Sequence, residues 1–338
     1  MNVHVVYGGQ FGSESKRLFT EYYCKNWQPG AIITNAMPNS GGFDSVGDKW
    51  STLPIGYPAT LMISPGSVIN LDNLKKEIKQ LPKGAKVVIH ENAAVIDDSH
   101  FTSEKDYVRV GSTMTGGAAA AKQKMDRDPS ARILARDYFE DTLNNAAWIR
   151  ELHKHDKVLA VCAQGHSLSL NFGFWPYTTS RNTSPAQVIA DAGISPMAVK
   201  RIIGCFRTFP IRVSNRFDEM GEMVGWSGPC YSDQEELSWE DIGVPQEFTS
   251  VSKKVRRVFT FSHQQLVESV LLNGTTDVFL GFINYLPVYM QDDFFRAVRD
   301  TCLNNGANLS WIGCGKTTDD IFSRISDKGY GFDISWIK

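Results

Sequence analysis

Near its start the chain gathers glycines, two hydroxyls, an acid and a lysine into one turn, Gly8-Gly9-Gln10-Phe11-Gly12-Ser13-Glu14-Ser15-Lys16. Val3, Val5, Val6 and Tyr7 before it make a short apolar strand. Leu18, Phe19, Tyr22 and Tyr23 after it recur at helical spacing. A strand, a tight glycine turn and a helix N-terminus offer an anion backbone N–H groups and the positive end of a helix dipole, and Lys16 adds a full charge. The chemistry this suits is the holding of nucleotide phosphates. A Walker A turn ends in Gly-Lys-Ser/Thr, whereas this one reads Ser15-Lys16-Arg17. Taken alone, the turn has one alternative reading, a glycine-rich connection without a ligand, the less favoured of the two.

Four further stretches carry groups with chemical potential. Asn39-Ser40-Gly41-Gly42-Phe43 combines small residues, which let a ligand approach the backbone, with an amide. Gly111-Ser112-Thr113-Met114-Thr115-Gly116-Gly117 crowds hydroxyls and bare amides ahead of a helical run from Ala118 to Lys124, which suits an anion or simply a capped helix start. Ala163-Gln164-Gly165-His166-Ser167-Leu168 ends a strand on an amide able to bond a purine edge. The stretch from Trp175 to Thr183 follows with hydroxyls able to grip a phosphate. Ser252-Lys253-Lys254-Val255-Arg256-Arg257 is a basic run, ordinarily a solvated face. The histidines show no metal-ligand spacing, and His166 is read as a surface or packing residue.

The elements that must position these groups alternate along the chain. Apolar strand-like runs recur at 31–35, 86–90, 157–162, 277–283 and 308–312, with helical patterns from Asp72 to Pro82, over 138–152, and from His263 to Asn273 before Gly274. Such alternation predicts an α/β fold around a mostly parallel sheet. Residues 43–54 read as a small inserted hairpin turning near Gly47-Asp48, and 226–260 as a mobile loop region. The 338 residues are expected to form a single domain, 1–338. A net charge of −2 with 21% charged residues argues against nucleic acid as a partner. The six scattered cysteines include no Cys-x-x-Cys pair. With no long apolar span or leader-like start, the expectation is a soluble cytoplasmic protein without a membrane partner.

The motifs resemble those of the adenylosuccinate synthetases. That family opens with a strand followed by Gly-x-Gln-Trp-Gly-Asp-Glu-Gly-Lys; here Gln10, Gly12, Glu14 and Lys16 match, Phe11 replaces Trp, and Ser13 stands where the family has its catalytic Asp. The resemblance implies that Gly12, Glu14, Ser15 and Lys16 serve the donor nucleotide. Asn39 would touch a substrate phosphate, and the carbonyl of Gly41, with Ser13, would serve Mg²⁺. Thr113, Arg127 (reaching across a homodimer), Gln164, Leu168 and Thr179 would bind the acceptor nucleotide. Ser252 and Lys254 would bind aspartate beneath a closing basic lid, with Arg256 near the nucleotide. The family's histidine after Asn-Ala-Gly is absent, since Gly42 or Phe43 occupies its place. Its guanine-reading Lys-x-Asp is also absent: the matching run is Leu280-Gly281-Phe282-Ile283-Asn284-Tyr285. Asn284, with the later loop containing Gly313 and Gly315, is therefore expected to serve ATP or dATP in place of GTP.

Ser13 carries the largest consequence. A serine hydroxyl is too weakly acidic for its oxygen to act as a carboxylate-like base at neutral pH. Being smaller, uncharged and both donor and acceptor, it suits a purine with an amino group at C2. Phage enzymes of this superfamily carry Ser at this place and join L-aspartate to C6 of dGMP. The resemblance thus implies a ligase with catalytic Ser13 and Lys16, using dGMP, aspartate and ATP or dATP. Two other readings stay open: an ordinary IMP-using, GTP-dependent synthetase, and an inactive nucleotide-binding homologue.

Overall fold

The structure is a computed structural model that describes residues 1–107, 110–111, 113–249 and 254–323. Its centre is a ten-stranded sheet. In chain order the strands are β1 (Asn2–Gly8), β2 (Ala31–Thr34), β3 (Thr60–Ile63), β4 (Lys86–His90), β5 (Thr142–Leu143), β6 (Lys157–Gly165), β7 (Val199–Arg207), β8 (Asp277–Gly281), β9 (Asn308–Gly313) and β10 (Ile321–Ser323). They lie side by side as β10-β9-β8-β7-β1-β6-β2-β3-β4-β5. Every neighbouring pair is parallel except β9 with β10. Strands covered on both faces need apolar side chains pointing both ways, which is why β1, β2, β6 and β8 read as unbroken apolar runs.

The nine helices among the described residues are α1 (Lys16–Trp27), α2 (Leu71–Lys79), α3 (Asp98–Tyr107), α4 (Gly117–Asp126), α5 (Asn145–Leu152), α6 (Pro185–Ala192), α7 (Trp239–Ile242), α8 (His263–Asn273) and α9 (Val288–Asn304). On one sheet face Val6, Ile32, Leu61 and Leu159 pack against Leu18, Phe19 and Tyr23 of α1 and Leu74 of α2. On the other, Val3, Val5, Tyr7, Ile33 and Ala160 meet Trp148 and Leu152 of α5 and Val188 and Ile189 of α6. Removing each such side chain from water contributes about 1.5–3 kcal/mol. A third cluster joins β8 and β9 to α8 and α9.

The expected strands and the helix His263–Asn273 are present, and the hairpin turning at Gly47 pairs Gly42–Phe43 with Lys49–Trp50. Within 138–152 the helix occupies only Asn145–Leu152, because the Asn144 side chain caps its N-terminus and Thr142–Leu143 is spent on β5. Four strands, β3, β5, β7 and β10, escape the sequence reading. Between 226 and 260, Glu236–Leu237 and Arg257–Phe259 join Ile211–Arg212 in a small antiparallel sheet. No helix among the described residues is long and apolar enough to cross a membrane. β1 sits between β6 and β7, and its chain then crosses to β2 beyond β6. The C-terminal ends of the central strands thus face a change in strand order, where open α/β sheets place ligands.

Candidate functional site

The turn after β1 is held by its own acid. The Glu14 carboxylate, fully buried, accepts the N–H groups of Gln10 (3.1 Å) and Gly12 (2.7 Å) through Oε1 and the Lys16 ammonium at 3.1 Å through Oε2. Gly12, Ser13 and Ser15 take left-handed backbone angles, φ 94°, 63° and 54°. For the two serines this conformation costs roughly 1–3 kcal/mol each and persists because the surroundings fix it. No side chain caps the start of α1, and no acid lies in its first turn. The helix start therefore remains available to an anion, with Lys16 beside it. Gly8 is required here by close approach, since a Cβ would lie 2.6 Å from both Glu14 Oε2 and Lys16 Nζ.

This turn lines a cavity of about 960 Å³, large enough for two nucleotides side by side. Of the residues chosen from sequence, Gly12, Ser13, Glu14, Ser15, Lys16, Asn39, Gly41, Thr113, Gln164, Leu168, Thr179, Arg256, Asn284 and Gly315 all lie on its wall. Gly313, at the end of β9, is buried and does not line it; Lys254 and Arg127 are exposed and do not line it either. Ser252 lies outside the described residues.

Ser13 is gripped from two sides. Its hydroxyl accepts a hydrogen bond from Arg256 Nη1 at 2.6 Å, and its carbonyl accepts one from Arg207 Nη1 at 3.2 Å. Arg207, at the end of β7, is wholly buried and forks onto both oxygens of Glu247, at 3.2 and 2.5 Å. Burial pushes the Glu247 carboxyl up, but the charges of Arg207 and Arg256 and the hydrogen bonds from Arg207 and Tyr285 outweigh it, leaving the group below the usual carboxylate range. The Arg207 guanidinium also lies over the Phe282 ring, 3.9 Å from its centroid. Arg207 and Glu247 escape a sequence reading because nothing local marks them; the one signal was an arginine ending an apolar strand, and that strand opens Val199-Lys200-Arg201, with two charges near its start.

On the opposite wall, Gln164 links three of the motifs. Its Nε2 donates to Asn39 Oδ1 and to Thr179 Oγ1, both at 2.7 Å, and its backbone N–H to Ser40 Oγ at 3.0 Å. Its Oε1 is buried with no hydrogen-bond partner in the structure. An orphaned buried acceptor is costly, and a ligand N–H is what would satisfy it. The glycine-rich turn before α4 is less open than its sequence suggests, since the Glu104 carboxylate takes the N–H groups of Gly116 and Ala118 at 2.7 Å each. Thr113 and Thr115 still line the cavity there. His166 is a packing residue: it is 2% exposed, bonded to Asn273 through Nδ1, and burial lowers its pKa to about 4.

No group of three His, Cys, Asp or Glu stands ready for a metal ion among the described residues. Magnesium ordinarily takes one or two protein oxygens and completes its shell with phosphate oxygens and water. Ser13 and Gly41 both line the cavity, so an ion arriving with a nucleotide would meet a hydroxyl and a backbone carbonyl there. They do not form a dedicated cage.

Comparison with known proteins gives this geometry a context. Residues 130–290 match the adenylosuccinate synthetase family profile. An N6-succino-2-amino-2'-deoxyadenylate synthase from Acinetobacter phage SH-Ab 15497 is 34% identical, over 92% of this chain and 91% of the relative. An adenylosuccinate synthetase from Methanococcus maripaludis is 31% identical, over 82% of this chain and 83% of its own. Among solved structures, the cyanophage S-2L succinoaminodeoxyadenylate synthetase, bound to dGMP and to dATP as an energy donor, superposes with a TM-score of 0.85 at 31% identity, covering 95% of both chains.

Proposed function

Because the chain belongs to the adenylosuccinate synthetase family, we propose that it joins L-aspartate to C6 of dGMP at the expense of ATP or dATP, giving N6-succino-2-amino-2'-deoxyadenylate, ADP or dADP, and phosphate. The observation that carries this reading is Ser13. At the place of the family's catalytic carboxylate the cavity presents a neutral hydroxyl, already bonded to Arg256. The likeness to phage synthases over nearly the whole chain supports the same reading.

In the first step O6 of dGMP attacks the γ-phosphorus, the bond to the departing diphosphate breaks, and the N1 proton leaves the ring. In the second, the aspartate amine attacks C6 and phosphate departs. Phosphoryl transfer of this kind depends on positioning and electrostatics more than on covalent participation by the protein. Lys16, the α1 start and the Ser13–Ser15 amides hold the donor phosphates in this reading, and Mg²⁺ bound beside Ser13 and Gly41 would offset their charge. The unpartnered Gln164 Oε1 accepts an N–H from the purine. Asn39, Thr113 and Thr179 face the acceptor's 5'-phosphate, completed by Arg127 from a second copy in a homodimer. Leu168 packs against the base. Asn284 and Gly315, which line the cavity, serve the donor base, with Gly313 supporting that loop from the end of β9, and Arg256 lies between the two nucleotides. Ser252 and Lys254 receive aspartate.

The test is product identification. Chain incubated with dGMP, aspartate, ATP and Mg²⁺ should yield the succino-aminopurine nucleotide by mass spectrometry, with one phosphate released per adduct. Binding of dGMP without adduct or phosphate would sink the reading.

A further inference from the structure

The contacts about Ser13 close into a ring. Arg207 holds its carbonyl and Arg256 its hydroxyl, and Arg207 forks onto Glu247. The Glu247 carbonyl accepts the Arg256 backbone N–H at 2.9 Å, which brings the path back to Ser13. A hydrogen bond leads from the ring toward the 282–285 loop: the Tyr285 hydroxyl donates to Glu247 Oε1 at 3.2 Å. Tyr285 ends the short turn Ile283–Tyr285 after β8, beside Asn284, and Phe282 lies under the Arg207 guanidinium. Gln10 ties the same strand end to the first turn, accepting the Arg207 N–H at 2.9 Å and donating to its carbonyl at 3.2 Å.

We propose that Glu247 is a positioning residue that sets the geometry of Ser13 through two arginines and, through Tyr285, makes that geometry respond to occupancy of the 282–285 loop. The inference rests on the reading of that loop as the donor-base site and of Ser13 as facing the acceptor purine. Arg207 is fully buried and Glu247 is its carboxylate partner, so separating them would strand a buried charge and the pair moves together or not at all. Ser13 sits in a left-handed conformation that its neighbours must hold, so a shift of either arginine reaches its hydroxyl. A donor base settling against Phe282, Asn284 and Tyr285 redirects the Tyr285 hydroxyl. Glu247 then follows, and with it the two guanidinium groups. Coupling of this kind is reciprocal: each nucleotide tightens the other by the same factor.

Calorimetry on the full chain tests this, with dGMP titrated in the absence and presence of a β,γ-imido analogue of ATP. In the wild type the analogue should lower the dGMP Kd about fivefold or more. Tyr285→Phe removes only the outgoing hydroxyl. It should cut the factor below about twofold while leaving dGMP affinity without donor within about twofold of wild type. Glu247→Gln keeps the shape but not the charge. It should lose the factor and lower kcat at least about tenfold, with the KM for dGMP changed far less. Undiminished coupling in Tyr285→Phe, or no coupling in the wild type, overturns the proposal. A folded wild type that binds neither nucleotide overturns the proposed function instead.

Discussion

Ser13→Asp places a carboxylate where a neutral hydroxyl now accepts from Arg256 at 2.6 Å. At an effective dielectric of about 20, a unit charge about 4 Å from a donor phosphate is repelled by roughly 4 kcal/mol. Pairing with Arg256 offsets on the order of half of this, leaving about 2 kcal/mol, or about thirtyfold in rate. The longer side chain also crowds the 2-amino group that distinguishes guanine, which adds to the loss. The fall in kcat/KM for dGMP should therefore be at least about thirtyfold. The fold should survive, because the new acid gains a charged partner, and the Tm should not drop. The assay is continuous phosphate release with dGMP varied under saturating aspartate, ATP and Mg²⁺, alongside a thermal melt. A variant whose kcat/KM for dGMP stays within about twofold of wild type would show that neither charge nor size at this position matters.

Gln164→Leu removes the unpartnered acceptor and the two 2.7 Å bonds to Asn39 and Thr179; the KM for dGMP should rise about tenfold or more while the Kd of an ATP analogue stays nearly unchanged, as read by calorimetry. Gly8→Ala drives a methyl group to 2.6 Å from Glu14 and Lys16, so donor binding should weaken at least tenfold on the order of a lost charge-assisted contact, with dGMP binding far less affected. Stability should fall on acidification between pH 6.5 and about 4, because burial lowers the folded-state pKa of His166 to about 4. In that window the unfolded chain binds the extra proton, so the contribution is complete above pH 6.5 and lost as pH falls, by roughly 3 kcal/mol at most. Urea melts at pH 4.5 and 7.5 on wild type and His166→Gln measure it, and an equal pH dependence in both would contradict the assignment.

Much of this arrangement was legible from side-chain pattern, for identifiable reasons. β1, β6 and β8 are buried on both faces and must be apolar throughout, so each stands out as a run. α8 announces both ends, with the Ser262 side chain capping its start and Gly274 closing it. β7 was hidden because Lys200 and Arg201 put two charges into its first half, although that half pairs with β1, and so break the apolar run. With β7 went Arg207, and with Arg207 went Glu247, whose pairing joins residues far apart in sequence that only the fold brings together. Both glycine turns line the cavity, but their amide inventory could not be read from sequence: Glu14 and Glu104 each consume two N–H groups that the sequence left free for a ligand. Gln164 shows the opposite case, since a strand-ending amide beside a second hydroxyl-rich motif already pointed to a base contact. The structure adds that one of its atoms is left without a partner.

The most direct measurement sets dGMP against IMP as acceptor, each with ATP and with GTP, and follows phosphate release in the presence of aspartate and Mg²⁺. Turnover with dGMP and ATP, and at least about a hundredfold lower kcat/KM for IMP with GTP, is the expected result, since Ser13 and Asn284 both depart from the family pattern in that direction. Preferred turnover of IMP with GTP would contradict it and return the chain to the ordinary synthetase reaction. Nucleotide binding without phosphate release in any of the four pairings would mark an inactive homologue.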